Sequence, residues 1–240
     1  MGTEGVSRNT DQSHEDLKQQ GRMRADALRV EFGDTDDPLA WFEACYDNAE
    51  GQSALVPWAH EIARPEFVEW LERLPAERRR GRALDVGCGL GDNAVELAKA
   101  GFEVTAFDIS QTAVQWAAQR FPEYKIDWRT FDLIDPPDDL EAAFDLVNET
   151  YTLQILEPPY RDQAIRILPW FVKPGGTLLI VGRGRLAHEE PNPPPWPIVP
   201  EEFECLLETG LQLVAFEDFY TDRKGQPVRH FRIECRRPTS

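Results

Sequence analysis

Positive charge is scarce in this chain of 240 residues: 26 lysines and arginines stand against 43 aspartates and glutamates, a formal net charge of −17. A surface of that sign repels phosphate backbones, so nucleic acid is not the expected partner and a small or neutral molecule is. Cysteine is scarce as well. Cys45, Cys88, Cys205 and Cys235 are far apart, form no CxxC pair and have no histidine at zinc-ligand spacing, so neither a metal site nor a disulfide framework is expected. They read as reduced thiols. No apolar run reaches the roughly 18 residues of a membrane span, and the polar N-terminus lacks the apolar stretch of a signal peptide. The expected location is cytoplasmic. The oligomeric state stays open.

A chain of this length can bury one substantial core with an accessory segment. Residues 1–37 are poor in large apolar groups and read as a mobile tail, with a short helix around 16–32. Residues 38–240 read as the folded domain. Within it, Trp41, Phe42, Cys45 and Tyr46 put aromatics along one helical face, Trp58 follows, and 65–71 is an amphipathic helix. Phe67, Trp70 and Leu71 read as packing residues. For Trp41, Tyr46 and Trp58, packing and lining of a site remain equal alternatives, because residues 38–74 stand where a helical cap could cover a site.

The most informative stretch is Ala83-Leu84-Asp85-Val86-Gly87-Cys88-Gly89-Leu90-Gly91-Asp92-Asn93. An apolar strand ends in an acid, a glycine-rich turn follows, and residues 94–100 continue as a helix. Glycines let the backbone approach a ligand closely, and the helix start offers unpaired N–H groups and a positive dipole end. A second strand, residues 103–108, ends in Asp108, at the offset of roughly 20 residues where a carboxylate grips ribose hydroxyls. The glycine spacing narrows the choice of nucleotide. G-x-G-x-x-G, the NAD pattern, would need glycine where Asp92 stands; here the third glycine is Gly91.

Further strands and helices alternate. Ser110 reads as an N-cap, residues 125–131 as a strand running into Asp132-Leu133, and residues 143–148 as a buried strand followed by Glu149 and Tyr151. Ligands of such sheets sit beyond the carboxyl ends of central strands, which places Asn148, Glu149 and Tyr151 beside the site. A helix over 158–171, the turn Lys173-Pro174-Gly175-Gly176, a strand over 177–182, a proline-rich loop over 183–200 and a terminal hairpin complete the pattern. The expected fold is α/β: a Rossmann-like, seven-stranded, mostly parallel sheet with helices on both faces and a C-terminal antiparallel hairpin.

The glycine stretch resembles motif I of the class I S-adenosylmethionine-dependent methyltransferases. The WF…Y…VPW pattern before it resembles the N-terminal segment of the thiopurine, thiol and tellurite methyltransferases, where that segment closes the pocket. The resemblance makes 38–240 a methyltransferase domain and S-adenosyl-L-methionine its cofactor. It implies that Asp85 and the backbone of Gly87, Gly89 and Gly91, with Asn93, hold the cofactor's amino-acid end. Asp108, with Ile109, would take the ribose, and Asp132 with Leu133 the adenine; Asn148 and Glu149 complete the set. Tyr151 is the candidate to face the sulfonium and the acceptor, since an aromatic face attracts a cation, with Trp58 closing the pocket. The implied reaction is in-line methyl transfer to a small acceptor, a thiol, thiopurine or other chalcogen compound. The sequence Glu149-Thr150-Tyr151-Thr152 matches neither subgroup, so O- or N-methylation of a small metabolite, with His60, Glu149 or His188 as base, and a non-catalytic cofactor-binding module remain alternatives.

Overall fold

A computed structural model describes residues 4–190, 195–223 and 225–239, with the side chains of the first helix from His14 onward. Helix α1 (Glu4–Gly33) and the short α2 (Trp41–Asp47) precede α3 (Pro65–Arg73), which enters the domain with proline in its first turn. Then come β1 (Arg82–Val86), α4 (Asp92–Ala100), β2 (Glu103–Asp108), α5 (Gln111–Arg120), β3 (Ile126–Thr130), β4 (Phe144–Thr150), α6 (Pro158–Phe171) and β5 (Val172–Arg183). The short α7 (Glu204–Glu208), β6 (Gln212–Arg223) and β7 (Gln226–Arg236) end the chain.

The seven strands form one sheet in the order β3-β2-β1-β4-β5-β7-β6. β1 to β5 run parallel, and β7 inserts antiparallel between β5 and β6. The expected sheet is therefore the observed one. Order reverses beside β1: β2 and β3 lie on one side and β4 on the other, which opens a crevice at the carboxyl ends of β1 and β4. The Lys173-Pro174-Gly175-Gly176 turn is taken into β5 as a bulge, with Phe144 facing Val172 and Leu146 facing Thr177.

Fully buried Leu84, Phe107, Phe144, Val147 and Ile180 form the core on one face of the sheet, under α6. Phe67, Leu97, Ala106 and Leu179 form it on the other, under α3 and α4. Ser110 does cap α5, its hydroxyl accepting from the Ala113 N–H at 3.0 Å.

From residue 4 onward the segment departs from the expected mobile tail with a short helix. Residues 4–33 form one helix of 30 residues that packs on the domain. Leu17, Leu28 and Phe32 pack against the core, and small residues between them let the backbones approach closely. Gly21 comes so close to the Leu55 backbone that an added Cβ would sit 2.4 Å from the Leu55 carbonyl oxygen, and Ala25 is buried beside it.

Candidate active site

The glycine turn is built as a cradle. Gly87, Gly89 and Gly91 take φ of 61°, 52° and 86°, a region that favours glycine. A Cβ on Gly87 would sit 2.3 Å from the Thr152 hydroxyl, which itself donates to the Val86 carbonyl at 3.1 Å. Beside the turn, each oxygen of the buried Asp108 carboxylate accepts one backbone N–H: Oδ2 from Gly89 at 2.9 Å and Oδ1 from Ser110 at 3.0 Å. Burial pushes this carboxyl above its ordinary range despite those bonds. Its oxygens keep further lone pairs for ligand hydroxyls.

A cavity at the carboxyl ends of β1, β2 and β4 is lined by Gly87, Gly89, Asn93, Asp108, Ile109, Asp132, Leu133, Tyr151 and Trp58. Nine of the thirteen site residues read from the sequence thus share one cavity. Leu133, Ile134 and Leu156 give it an apolar slot beside Asp132, whose Oδ1 also accepts the Ile134 N–H at 3.0 Å. Asp132 is therefore both a turn former and a cavity wall.

Four predicted residues stand elsewhere. Asp85, Gly91, Asn148 and Glu149 do not line the cavity. Asp85 is 1% exposed, one layer behind the turn, where its Oδ1 accepts from the Asn148 amide at 2.7 Å and its Oδ2 has no partner. Asn148 is its register partner across β1 and β4, so the two side chains meet inside the sheet rather than at its end. Glu149 Oε1 accepts the N–H groups of Thr152 and Leu153, holding the turn after β4, and its Oε2 is also unpaired. Burial pushes both carboxyls up to about 7. Gly91 serves packing: a Cβ there would meet the Trp128 ring at 2.5 Å.

The roof comes from residues 39–64. Trp58 lies edge-on to Trp41, Phe42 and Tyr46, with centroids 5.6, 5.7 and 5.9 Å apart, and its Nε1–H donates to the Tyr46 hydroxyl at 2.7 Å. That hydroxyl sits over the glycine turn, 3.0 Å from where a Gly89 Cβ would be. Two side chains tie the roof down. Asn93 accepts the Arg64 N–H at 2.9 Å, and Glu43 accepts from the Ser110 hydroxyl at 2.5 Å and from Thr112 Oγ1 at 2.6 Å. Glu43 carries no sequence signal beyond its place in the aromatic helix, and went unread.

Tyr151 has φ of +69°, the left-handed region that a bulky residue rarely occupies. It is held there by its N–H to the Val181 carbonyl at 2.9 Å and by the Arg64 guanidinium 4.9 Å above its ring. His60 also faces the cavity. Burial, seconded by the positive charges of Arg64 and Arg223, lowers it to about 4, so it is neutral at physiological pH. His188 is exposed and outside the cavity.

A second cavity, of about 600 Å³, adjoins the first. Trp58, His60, Ile62, Arg64, Tyr151 and Ile155 line both and form the wall between them. In the proline-rich loop, Pro195 reaches the second cavity, while Trp196 does not; it packs under Arg29, 5.8 Å from its guanidinium. Pro193 and Pro194 lie outside the described residues.

A methyltransferase-domain family model matches residues 83–176, the span that holds the turn, Asp108, Asp132 and Tyr151. This match to a methyltransferase domain is in keeping with the resemblance to the class I S-adenosylmethionine-dependent methyltransferases. Over 149 residues the chain is 31% identical to the biotin biosynthesis bifunctional protein BioHC of Cellvibrio japonicus, covering 60% of the chain and 26% of that protein. It is 27% identical to thiocyanate methyltransferase 1 of Brassica oleracea, over 74% of the chain and 76% of the relative. The chain spans about a quarter of the first relative's length and three quarters of the second's. In fold it is similar to the 1,6-didemethyltoxoflavin-N1-methyltransferase of Burkholderia thailandensis, solved with its substrate and S-adenosylhomocysteine. The TM-score is 0.62 at 18% identity, over 82% of this chain and 87% of that one.

The cavity fits the cofactor of that family. Its floor is a turn that side chains would fill, and a carboxylate with free lone pairs stands beside it. An apolar slot lies further along, and an aromatic face is present in Tyr151.

Proposed function

We propose that this chain transfers a methyl group from S-adenosylmethionine to a small-molecule acceptor, a thiol or other chalcogen compound, by in-line displacement. The observation that carries the reading is the common wall: a second cavity opens directly behind Tyr151 and Trp58, the side chains that close the cofactor cavity. When bound, S-adenosylmethionine supplies an electrophilic methyl carbon; the acceptor's lone pair bonds to it as the C–S⁺ pair returns to sulfur, leaving a neutral thioether.

The protein's part is binding, alignment and exclusion of water. Asp108 and the Gly87–Gly91 turn fix one reactant. The strained Tyr151 backbone and the Trp58–Tyr46 hydrogen bond hold the wall past which the second must approach. Alignment of this kind supplies on the order of 7 kcal/mol. A thiol suits the site because it ionises without help. His60, neutral with a value near 4, is a weak base, and the Glu149 carboxylate is tied to the Thr152 and Leu153 N–H groups, away from the cavity.

The relatives called thiocyanate methyltransferase 1 and probable thiol methyltransferase 2 support the chalcogen reading, although other relatives are named for O-methylation or for ribosomal RNA. Acidic composition favours a small acceptor over RNA. We place Asp108, Ile109, Gly87, Gly89, Asn93, Asp132 and Leu133 against the cofactor, with Trp58 and Tyr151 between it and the acceptor. The test is methyl transfer across thiol, selenol, phenol and amine acceptors by the parent and by Trp58→Ala. A thiol should be the best acceptor, and the variant should lose at least tenfold in its turnover. A phenol or amine as the best acceptor, or parental turnover in the variant, would refute the reading.

A further inference from the structure

The second cavity differs in charge from the rest of the molecule. In a chain with a net charge of −17, its lining carries four arginines, Arg22, Arg64, Arg183 and Arg223, against three carboxylates, Asp26, Glu66 and Asp222. The carboxylates offset the arginines only in part: the charge of Glu66 favours the charged forms of Arg64 and Arg183 but, among the described residues, forms no ion pair with either. Asp222 accepts the Gly225 N–H at 3.0 Å in the hairpin turn, and Asp26 is exposed on α1. Glu66 is bonded by the Tyr151 hydroxyl, and its Oε1 lies 3.9 Å from His230 Nε2. Among the described residues the guanidinium groups of Arg183 and Arg223 have no hydrogen-bond or ion-pair partner.

Half-buried Arg183 is fixed through its backbone, the N–H donating to Gln154 Oε1 at 2.7 Å and the carbonyl accepting the Ile198 N–H at 2.9 Å. The cations lie near enough to repel one another: burial, with Arg223 next, lowers Arg183, and burial with Arg223 and Arg183 opposes the charge on Arg64. With four arginines against three carboxylates the lining carries an excess of positive charge, and an anion placed among the guanidinium groups offsets it. The apolar part of the same lining is aromatic and aliphatic: Trp41, Trp58, Ile155, Pro57 and Pro195.

We propose that this cavity is the acceptor site and that it selects a small organic acid. The carboxylate is held by Arg183 and Arg223, with Arg64 behind, and the apolar body lies against Trp41 and Trp58. The nucleophile points through the common wall at Tyr151. The proposal rests on the methyl-transfer reading above and adds the class of acceptor. It also revises the expectation from composition of a neutral substrate, because local charge and not net charge faces the ligand. Four positive against three negative side chains match a monoanion better than a phosphate dianion. Glu66 Oε2, buried and without a hydrogen-bond partner, is available to accept from an N–H or O–H on the acceptor's body.

The experiment compares 3- and 4-mercaptobenzoate with their methyl esters, as kcat/KM, in the full-length parent and in Arg183→Gln and Arg223→Gln. Affinity for S-adenosylhomocysteine is measured alongside. The acids should exceed the esters at least tenfold in the parent, and each variant should remove most of that ratio. Cofactor affinity should stay within about twofold, since neither arginine lines the cofactor cavity. Esters used as well as acids, or ratios unaltered in both variants, would overturn the proposal. If no thiol is methylated, the methyl-transfer reading fails on its own. The acid site is then judged by calorimetry of benzoate with the S-adenosylhomocysteine complex. Binding abolished in both variants upholds it, and no binding at millimolar benzoate refutes it.

Discussion

Replacing Asp85 by asparagine should make the protein more stable, and more so at high pH. The carboxyl is 1% exposed, is hydrogen-bonded by the Asn148 amide and the Ala94 backbone, and lies close enough to the equally buried Glu149 for its charge to act on it. In the unfolded chain it loses its proton near 3.8; folded, burial holds it to about 7. Between those values the folded state carries more protons than the unfolded one, so stability falls as pH climbs from about 4 to about 7 and is level above. Full ionisation at pH 8 costs the folded state roughly 4 kcal/mol, of which roughly half is already incurred at pH 5.5. Asparagine keeps an acceptor for Asn148 and cannot ionise. Its advantage over the parent should therefore grow by roughly 2 kcal/mol between pH 5.5 and pH 8. Because Glu149 is raised by the same burial, with Asp85's charge adding to it, the gain from the double variant with Glu149→Gln should be less than additive. Urea titrations of parent and variant at both pH values measure this. An advantage that is the same at both pH values within about 0.5 kcal/mol would refute the account of a proton held by burial.

Asp108→Ala removes the acceptor beside the glycine turn and leaves the Gly89 and Ser110 N–H groups unpaired. Calorimetry should show S-adenosylhomocysteine binding weakened roughly 100-fold, and affinity within about twofold of the parent would remove Asp108 from the site. Gly89→Ala places a Cβ 3.0 Å from the Tyr46 hydroxyl at φ of +52°, so cofactor affinity and thermal stability should both fall. Adding Tyr46→Phe should restore part of the affinity; no recovery would show that the roof does not press on the turn. Glu43→Ala cuts the ties to Ser110 and Thr112, and stopped-flow release of S-adenosylhomocysteine should accelerate about tenfold with circular dichroism unchanged. An unaltered rate would mean that the roof is held by packing alone.

Much of this was legible in the sequence, for identifiable reasons. The glycine turn, Asp108 and Asp132 were readable because backbone geometry at strand ends permits few residue types there, and spacing along the chain reports it. The sheet was readable because strands buried on both faces are continuous apolar runs, as in residues 177–182. Asp85, Asn148 and Glu149 misled because a strand end alternates faces. Residues 85 and 148 turn inward toward each other, and residue 149 bends back onto the turn after it. The docked helix over 4–33 was hidden because its large apolar contacts, Leu17, Leu28 and Phe32, are few and far apart, and Gly21 and Ala25 between them are indistinguishable in composition from tail residues. The arginine cluster was invisible for a different reason. Arg64, Arg183 and Arg223 are more than a hundred residues apart at the extremes and meet only when the β6–β7 hairpin and the α3 entry converge on one cavity.

The wall of Trp58, His60, Ile62, Arg64, Tyr151 and Ile155 has a thermodynamic corollary. A partition with a ligand on each side is one object with two readers. Whatever position of Tyr151 and Arg64 the first ligand favours is the position that the second meets. Occupancy of one chamber therefore sets the affinity of the other, and the factor is the same in both directions. An acceptor analogue that tightens S-adenosylhomocysteine fivefold must itself be tightened fivefold by S-adenosylhomocysteine. The edge-on rings around Trp58 and the guanidinium 4.9 Å above Tyr151 are the parts of the wall through which such coupling would pass.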